Sequence, residues 1–307
     1  MKIFVTGATG FIGSAIVPEL IKAGHQVLGL TRSDAGAQSL KAAGAGVHPG
    51  DLEDLESLRR GAAISDGVIH AAFIHDWSRF AESCEIDKRA IETLGSVLEG
   101  SDRPMLVTAG VATTAQGRLG TEEDAPLPPS AAYPRASEPT AEKLLARGVR
   151  VSTVRLPQVH DTRKQGLVTY AIAVARQKGV SGYVGDGLNR YAAVHVLDAA
   201  RLYRLAIEKQ EAGARYHAVA EEGVSFRDIA DAIGRGFKVP VVSKSLEEAA
   251  DHFGFLAGFV GRDLTGSSAQ TQRRLGWQPT GPGLIADLEK MNYLEADKIA
   301  VSAAQRA

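Results

Sequence analysis

Thr6-Gly7-Ala8-Thr9-Gly10-Phe11-Ile12-Gly13 constrains this chain more than any other segment. It follows a short apolar run, Lys2–Thr6, and opens an amphipathic stretch, Phe11–Ala23. That order reads as strand, tight turn and helix. Gly7 permits the turn, Gly10 lets a pyrophosphate approach the backbone, and Gly13 lets the helix pack closely on its strand. Free N–H groups at the helix start, with the helix dipole, make an anion site. The segment therefore predicts a dinucleotide cradle built from Gly7, Thr9, Gly10, Phe11, Ile12 and Gly13. The plain alternative is a glycine-rich turn with no ligand.

The same rhythm continues along the first half. Gln26–Leu30, Gly46–His48, Gly67–Ala71, Met105–Thr108 and Val149–Arg155 read as strands. They are mostly continuous apolar runs, as in strands buried on both faces. Ala35–Ala43, Leu52–Ala62, Trp77–Leu98 and Glu138–Arg147 read as helices. Alternation of this kind predicts an α/β protein with a Rossmann-type, doubly wound parallel sheet. Gly117–Pro139 breaks the rhythm with five prolines and reads as a long loop, which is more often functional than decorative. Later elements are less regular: helices at Leu167–Lys178 and Leu197–Glu208, strands at Val194–Val196 and Arg215–Ala218, and a helix Ser225–Gly234 with Ser225 as N-cap and Asp228 at N3. The expected division is residues 1–160 as the first domain, with 191–222 returning to it. A smaller C-terminal substrate lobe comprises 161–190 and 223–307.

Composition works here by exclusion. Lys+Arg number 35 against 36 Asp+Glu, so no global charge draws the chain to nucleic acid or an anionic membrane. The one cysteine, Cys84, cannot form a disulfide within the chain and reads as a packed thiol. His70, His75 and Asp76 lack zinc-like spacing, so no metal is expected. No apolar run approaches the roughly 20 residues that span a bilayer, and no basic leader precedes an apolar core. The expectation is a cytoplasmic globular protein acting on a small molecule.

The T-G-x-x-G-x-x-G spacing resembles the extended short-chain dehydrogenase/reductase superfamily, in its NAD-dependent epimerase/dehydratase branch. Gly50-Asp51-Leu52-Glu53-Asp54 resembles the segment after the third strand, and His70-Ala71-Ala72 the end of the fourth. The resemblance implies that Asp51, Leu52, Ala71 and Ala72 lie against the adenosine. Arg155-Leu156-Pro157-Gln158-Val159-His160 resembles the family's R-L/P-x-x-V-Y-G run. Gly185-Asp186-Gly187-Leu188-Asn189-Arg190 and Val194-His195-Val196-Leu197-Asp198-Ala199-Ala200 resemble its G-D-G…R and V-H-V-x-D-x-A segments. Leu275-Gly276-Trp277-Gln278-Pro279 matches its L-G-W-x-P element. The substrate contacts so implied are Tyr183 and Arg190, the latter binding an anion or else pinning a loop. The resemblance also implies a homodimer through Trp77–Leu98 and Glu138–Arg147, unless those faces pack within one chain.

The residue ending the second strand selects the cofactor, because an acid there bonds a ribose 2′-OH and repels a 2′-phosphate. Here the run is Leu30-Thr31-Arg32-Ser33. Thr31 stands at the acid position, Arg32 can pair with a 2′-phosphate and Ser33 can donate to it. Asp34 reads as the cap of the next helix. The reading is NADP(H) in preference to NAD(H), against a merely solvated Arg32.

Family reductases use Tyr-x-x-x-Lys with an upstream Ser or Thr. Aligning Glu142-Lys143-Leu144-Leu145 with the family's E-x-L-L puts Pro134 in the Tyr position and Glu138 in the Lys position. The chain thus resembles an atypical subgroup without the dyad. Thr108 remains of the upstream pair and is expected to bond a substrate carbonyl. Tyr133 or His160 would deliver the proton, unless Tyr133 clamps the proline-rich loop and His160 bonds backbone. Arg135 would bind an anionic or carbonyl group and Glu138 the ribose hydroxyls, or the two form a salt bridge. Lys143 reads as solvated and His217 as a satisfied core histidine. The expected function is NADPH-dependent reduction of a small carbonyl compound. Its rivals are a sugar-nucleotide epimerase or dehydratase, and a non-catalytic dinucleotide sensor.

Overall fold

The computed structural model describes residues 1–111, 115 and 117–293. Its centre is a sheet of seven strands, all parallel: β1 (Lys2–Thr6), β2 (Gln26–Thr31), β3 (Gly46–Pro49), β4 (Gly67–His70), β5 (Met105–Gly110), β6 (Val151–Leu156) and, later in the chain, Arg215–His217. The strand order is Arg215–His217, β6, β5, β4, β1, β2, β3. Connections run outward in opposite directions from β1 and β4, so the carboxyl ends of these two strands form the switch-point crevice.

Alternating side chains of β1 reach two separate cores. Ile3 and Val5 pack with Ile16, Leu20 and Leu202, whereas Phe4 packs with Leu58, Ile91 and Leu94. This is why the strands are apolar without alternation: both faces are covered. Helices α1 (Gly13–Lys22), α2 (Asp34–Ala42), α3 (Leu55–Ala63), α4 (Phe80–Leu98) and α5 (Ser137–Ala146) fill the crossovers. The α4 and α5 apolar faces turn inward to the second core. The outward side of α4 carries Glu82, Glu85 and Arg89, all exposed.

The second lobe has its own core around Ile172, Tyr191, Phe226, Ile229, Phe253 and Leu288. It contains β7 (Gln158–His160), α6 (Val168–Lys178), β8 (Ser181–Val184), β9 (Arg190–His195), α8 (Phe226–Phe237), β12 (Val241–Lys244) and α9 (Leu246–Phe253). The intervening elements are α7 (Val196–Lys209), β10 (the Arg215–His217 strand) and β11 (Glu221–Ser225). The last helices among the described residues are α10 (Ala257–Val260), α11 (Ala269–Leu275) and α12 (Leu284–Lys290).

Several sequence expectations change. The strand expected at Val194–Val196 is the end of β9, which joins β7 and β11 in a small sheet and not the seven-stranded one. Only β10 returns to the main sheet. Strands β7, β8, β11 and β12 are three to five residues long, too short to show a period. Residues 223–293 do not all stay in the second lobe. Trp277 is buried in the first-lobe core and donates to the Asp198 carbonyl at 3.0 Å. The Asp198 carboxylate accepts from Thr280 N at 3.0 Å and Gly281 N at 2.7 Å. Two of the family-like segments are thus one structural latch. Ser33, not Asp34, caps α2. The proline-rich loop ends at Ala136, where α5 begins. No helix among the described residues is long and apolar enough to cross a membrane.

Candidate active site

The cradle begins with steric demands. Gly7 sits at φ +68, and a Cβ there would lie 2.8 Å from the backbone of Ala71 and Ala72 at the end of β4. A Cβ on Gly13 would collide with the Gly7 carbonyl oxygen. At Gly10 the only atom within 4 Å of an added Cβ is Gly7 O, at 3.1 Å, so its outer side is open. Gly10 N bonds Gly7 O at 2.9 Å and Gly10 O receives Ser14 N at 2.8 Å, which fixes the turn. No side chain caps α1 and its first turn holds no acid. An uncapped helix start behind a glycine whose outer side is clear fits a diphosphate. The residues present therefore suit the cofactor that the sequence implies, with Thr9, Phe11 and Ile12 on the same turn.

At the second strand, Thr31 is buried and its hydroxyl leans on Gly36, where a Cβ would collide with it. Arg32 is exposed, and no carboxylate pairs with it among the described residues. Ser33 accepts from Gly36 N at 3.1 Å and keeps its own hydrogen to donate. The carboxylate of Asp51 accepts from Glu53 N and Asp54 N at 2.8 and 3.0 Å, holding a turn, and Leu52 is buried beside it.

Glu138 borders the crevice that Tyr133 and Arg135 line, but its carboxylate is taken by ion pairs. Its carboxylate is buried and takes Arg155 Nε and Nη2 at 2.8 and 2.6 Å, then Arg215 Nε at 2.8 Å. Arg155 points from β6 into the interior, and a buried guanidinium needs a buried counter-charge. Glu138 fills that need, so its expected ribose contact and its salt bridge to Arg135 are both replaced. His217 completes the cluster: Nδ1 donates to Ser267 O at 2.8 Å and Nε2 accepts from Arg155 at 3.1 Å. Burial first, then the Arg155 charge, pushes this imidazole down to about 4.

Thr108 donates its hydroxyl to the His70 carbonyl at 2.7 Å and meets the Tyr203 hydroxyl at 2.6 Å. Its one proton is spent on the scaffold, which leaves none for a substrate oxygen. His160 is also corrected. It is wholly buried, with Nδ1 2.7 Å from Asp287 and Nε2 4.0 Å from Glu221. Burial lowers its pKa, against the pull of Asp287. The ring is enclosed between β7 and α12, with no exposed edge to offer a substrate.

Tyr133 and Arg135 remain together. Both line one crevice with Ala109 and Gly110, at the carboxyl end of β5. Burial pushes the Tyr133 phenol up, while the Arg135 charge pulls it down. Arg135 lies over the Phe73 ring at 4.2 Å and its Nε donates to Ser137 Oγ at 3.2 Å. Tyr183 and Arg190 do not line this crevice. Arg227 lies over the Tyr183 ring at 5.5 Å, and Arg190 faces Asp263 at 3.8 Å.

A buried polar chain behind the crevice escaped the sequence reading. Ser137 Oγ donates to Asp87 Oδ2 at 2.5 Å, Asp87 Oδ1 meets His70 Nε2 at 3.0 Å, and His70 Nδ1 meets Thr6 Oγ1 at 2.9 Å. Ala72 N donates to Thr6 Oγ1 at 3.3 Å. Burial alone would raise the Asp87 carboxyl, but His70, Arg135 and Ser137 together hold it below the ordinary range. Asp87 sits on the inward stripe of α4 with Ile86, Ala90 and Ile91, and a carboxylate in an apolar stripe was the available signal. Cys84 is buried on the same helix, and burial pushes its thiol up to about 11.

An aromatic cluster also joins Trp77, in the short turn before α4, to the second lobe. Trp77 stacks between Phe80 and Phe255, at 5.0 and 4.7 Å, and meets Tyr170 edge-on at 6.0 Å. Among the described residues no cluster of ligands suits a metal ion.

The doubly wound sheet, the glycine cradle and the lobe over the strand ends define a Rossmann-type protein of the extended short-chain dehydrogenase/reductase class. A model of the NAD dependent epimerase/dehydratase family matches residues 3–220, and the chain belongs to that family. It is 50% identical over 297 residues to an uncharacterized protein, C2A9.02, of Schizosaccharomyces pombe, covering 95% of this chain and 100% of that one. It is 44% identical over 296 residues to an uncharacterized protein, YLL056C, of Saccharomyces cerevisiae, covering 95% and 99%. The structure matches the crystal structure of DesIV, a dTDP-glucose 4,6-dehydratase of Streptomyces venezuelae with NAD and TYD bound. The TM-score is 0.76 at 19% identity, with 98% of each chain covered, a likeness of fold alone.

Proposed function

We propose that this protein is an NADPH-dependent reductase of a small carbonyl compound, with Tyr133 as its proton donor and Arg135 as the cation beside it. Reductases and epimerases both occur among its relatives. The observation that carries the choice is the shared crevice of Tyr133 and Arg135 at the end of β5, where the usual lysine is replaced by a sequestered Glu138. Bound nicotinamide supplies the hydride. The chain then has two tasks. Arg135, held against Phe73 and Ser137, stabilises negative charge developing on the substrate oxygen. Tyr133 gives up a proton to that oxygen. Burial keeps this phenol protonated at neutral pH, so it has a proton to give and no phenolate with which to take one. An epimerase must remove a hydroxyl proton as well as return one, so this pair favours reduction. The preference for NADPH rests on exposed Arg32 and on Thr31 standing where an acid would repel a 2′-phosphate.

The test is NADPH oxidation against a panel of ketones, aldehydes, imines and quinones, with Tyr133→Phe alongside. Turnover by the wild type, cut about 10²–10⁴-fold in the variant at unchanged NADPH affinity, is the expected result. Tight NADPH binding with no turnover across the panel would instead make the protein a sensor. Interconversion of sugar nucleotides would make it an epimerase.

A further inference from the structure

The reaction as described leaves Asp87 without a task, although its place is a costly one for a charge. It sits on the inward stripe of α4, 1% exposed, among Ile86, Ala90 and Ile91. A carboxylate in such surroundings must have its oxygens met by donors. His70 Nε2 lies 3.0 Å from Oδ1, and Ser137 Oγ donates to Oδ2 at 2.5 Å. Ser137 is the first residue of α5, and no side-chain bond caps that helix. The hydroxyl at the helix start is spent on Asp87 instead, 50 residues away in sequence.

That bond has a forced direction. A carboxylate only accepts, so Ser137 must give Asp87 its one hydrogen. The serine then has only lone pairs left to offer, and Arg135 Nε donates to them at 3.2 Å. No carboxylate pairs with Arg135 directly among the described residues. Arg135 also lies over the Phe73 ring at 4.2 Å. A ring face fixes the distance of a guanidinium but lets it turn in its own plane, and a bond at Nε removes that rotation. Ser137, Arg135 and Tyr133 line the same crevice.

We infer that Asp87 is a positioning residue, which acts through the Ser137 hydroxyl to aim the Arg135 guanidinium across the crevice beside Tyr133. This rests on the role proposed for Arg135, and its first test needs no substrate. Heteronuclear NMR of the full chain reads the Arg135 Nε–H, assigned by its disappearance in Arg135→Lys. The wild type should show it protected from exchange with water. Asp87→Asn and Ser137→Ala should each lose that protection while keeping native circular dichroism, and if one fails to fold the other decides. Protection missing in the wild type, or retained in a folded variant, overturns the inference and leaves the reductase reading standing. Kinetics then separates positioning from general damage. With the fastest compound of the carbonyl panel, Asp87→Asn should lower kcat about 10²-fold with little change in KM, because Arg135 meets charge that develops only in the transition state. In an Arg135→Ala background the same substitution should add nothing. Additive losses overturn the inference, since Asp87 would then act without Arg135. A wild type that turns over no panel compound, with protection lost in the variants, removes the reductase reading and keeps the link from Asp87 to Arg135.

Discussion

At the scale of single residues, the chemistry of the site depends on which polar groups face the cleft and which are consumed by the scaffold. Arg32 is exposed at the end of β2 and free of a carboxylate partner among the described residues. Arg32→Ala should weaken NADPH by about 1.5–3 kcal/mol, the worth of a charge-assisted contact, and leave NADH unchanged. Paired titrations of both cofactors measure this, and equal wild-type affinities would remove the basis for NADP preference. His217 is of the second kind. It is neutral in the fold, with a pKa of about 4 against an ordinary 6.5. The unfolded chain therefore binds more protons between those values, and stability rises with pH through the window. The contribution is complete above pH 6.5 and is lost as pH falls towards 4, by up to about 3 kcal/mol. Denaturant melts at pH 7.5 and 5 should show the loss, and His217→Asn should flatten it. An identical slope in the variant would assign the effect to other groups.

At the scale of elements, the long proline-rich loop is held to the sheet by the same ion cluster that consumes Glu138. Arg155 donates to the Asp124 carbonyl at 2.8 Å, and Arg118 pairs with the Asp124 carboxylate. Glu138 orients Arg155, and through it the loop that ends near Tyr133. Glu138→Ala leaves a buried guanidinium without its partner, a change that typically costs about 3–5 kcal/mol. A denaturant melt should register that loss, with cofactor affinity in the surviving folded protein near that of the wild type. Selective loss of cofactor binding at full stability would return Glu138 to the ribose. The glycine turn was legible in the sequence because most of its demands are local: a positive φ at Gly7 and the close fit of Gly13 on Gly7, although Gly7 also answers to Ala71 and Ala72 across the sheet. Glu138 was not legible, since its partners lie 17 and 77 residues away.

For the molecule as a whole, the family resemblance assigned dimerisation to α4 and α5, yet their apolar faces are covered within the chain. Leu94 and Leu144 are both buried in the first lobe, and Glu82, Glu85 and Arg89 point outward. Self-association through this face would have to desolvate those charges, with Leu145 the one large apolar side chain exposed on α4 or α5 among the described residues. Sedimentation at micromolar concentration should give a monomer. A dimer would require some other face.

The sequence by itself determined the class of fold, the cradle and the absence of an acid after β2. Each follows from short-range information: the spacing of glycines, continuous apolar runs, and the identity of Thr31 and Arg32. It also exposed the missing Tyr-x-x-x-Lys pair, since that motif is a fixed spacing on one helix. Only the tertiary structure decided which polar residues are available for chemistry. Thr108, His160 and Glu138 have suitable side chains at plausible positions, and each is committed to a partner distant in sequence: His70 and Tyr203, Asp287, and Arg155 with Arg215. A buried polar group must be paired, and the pairing is set by how strands and helices meet in space and not by the residues beside it in the chain.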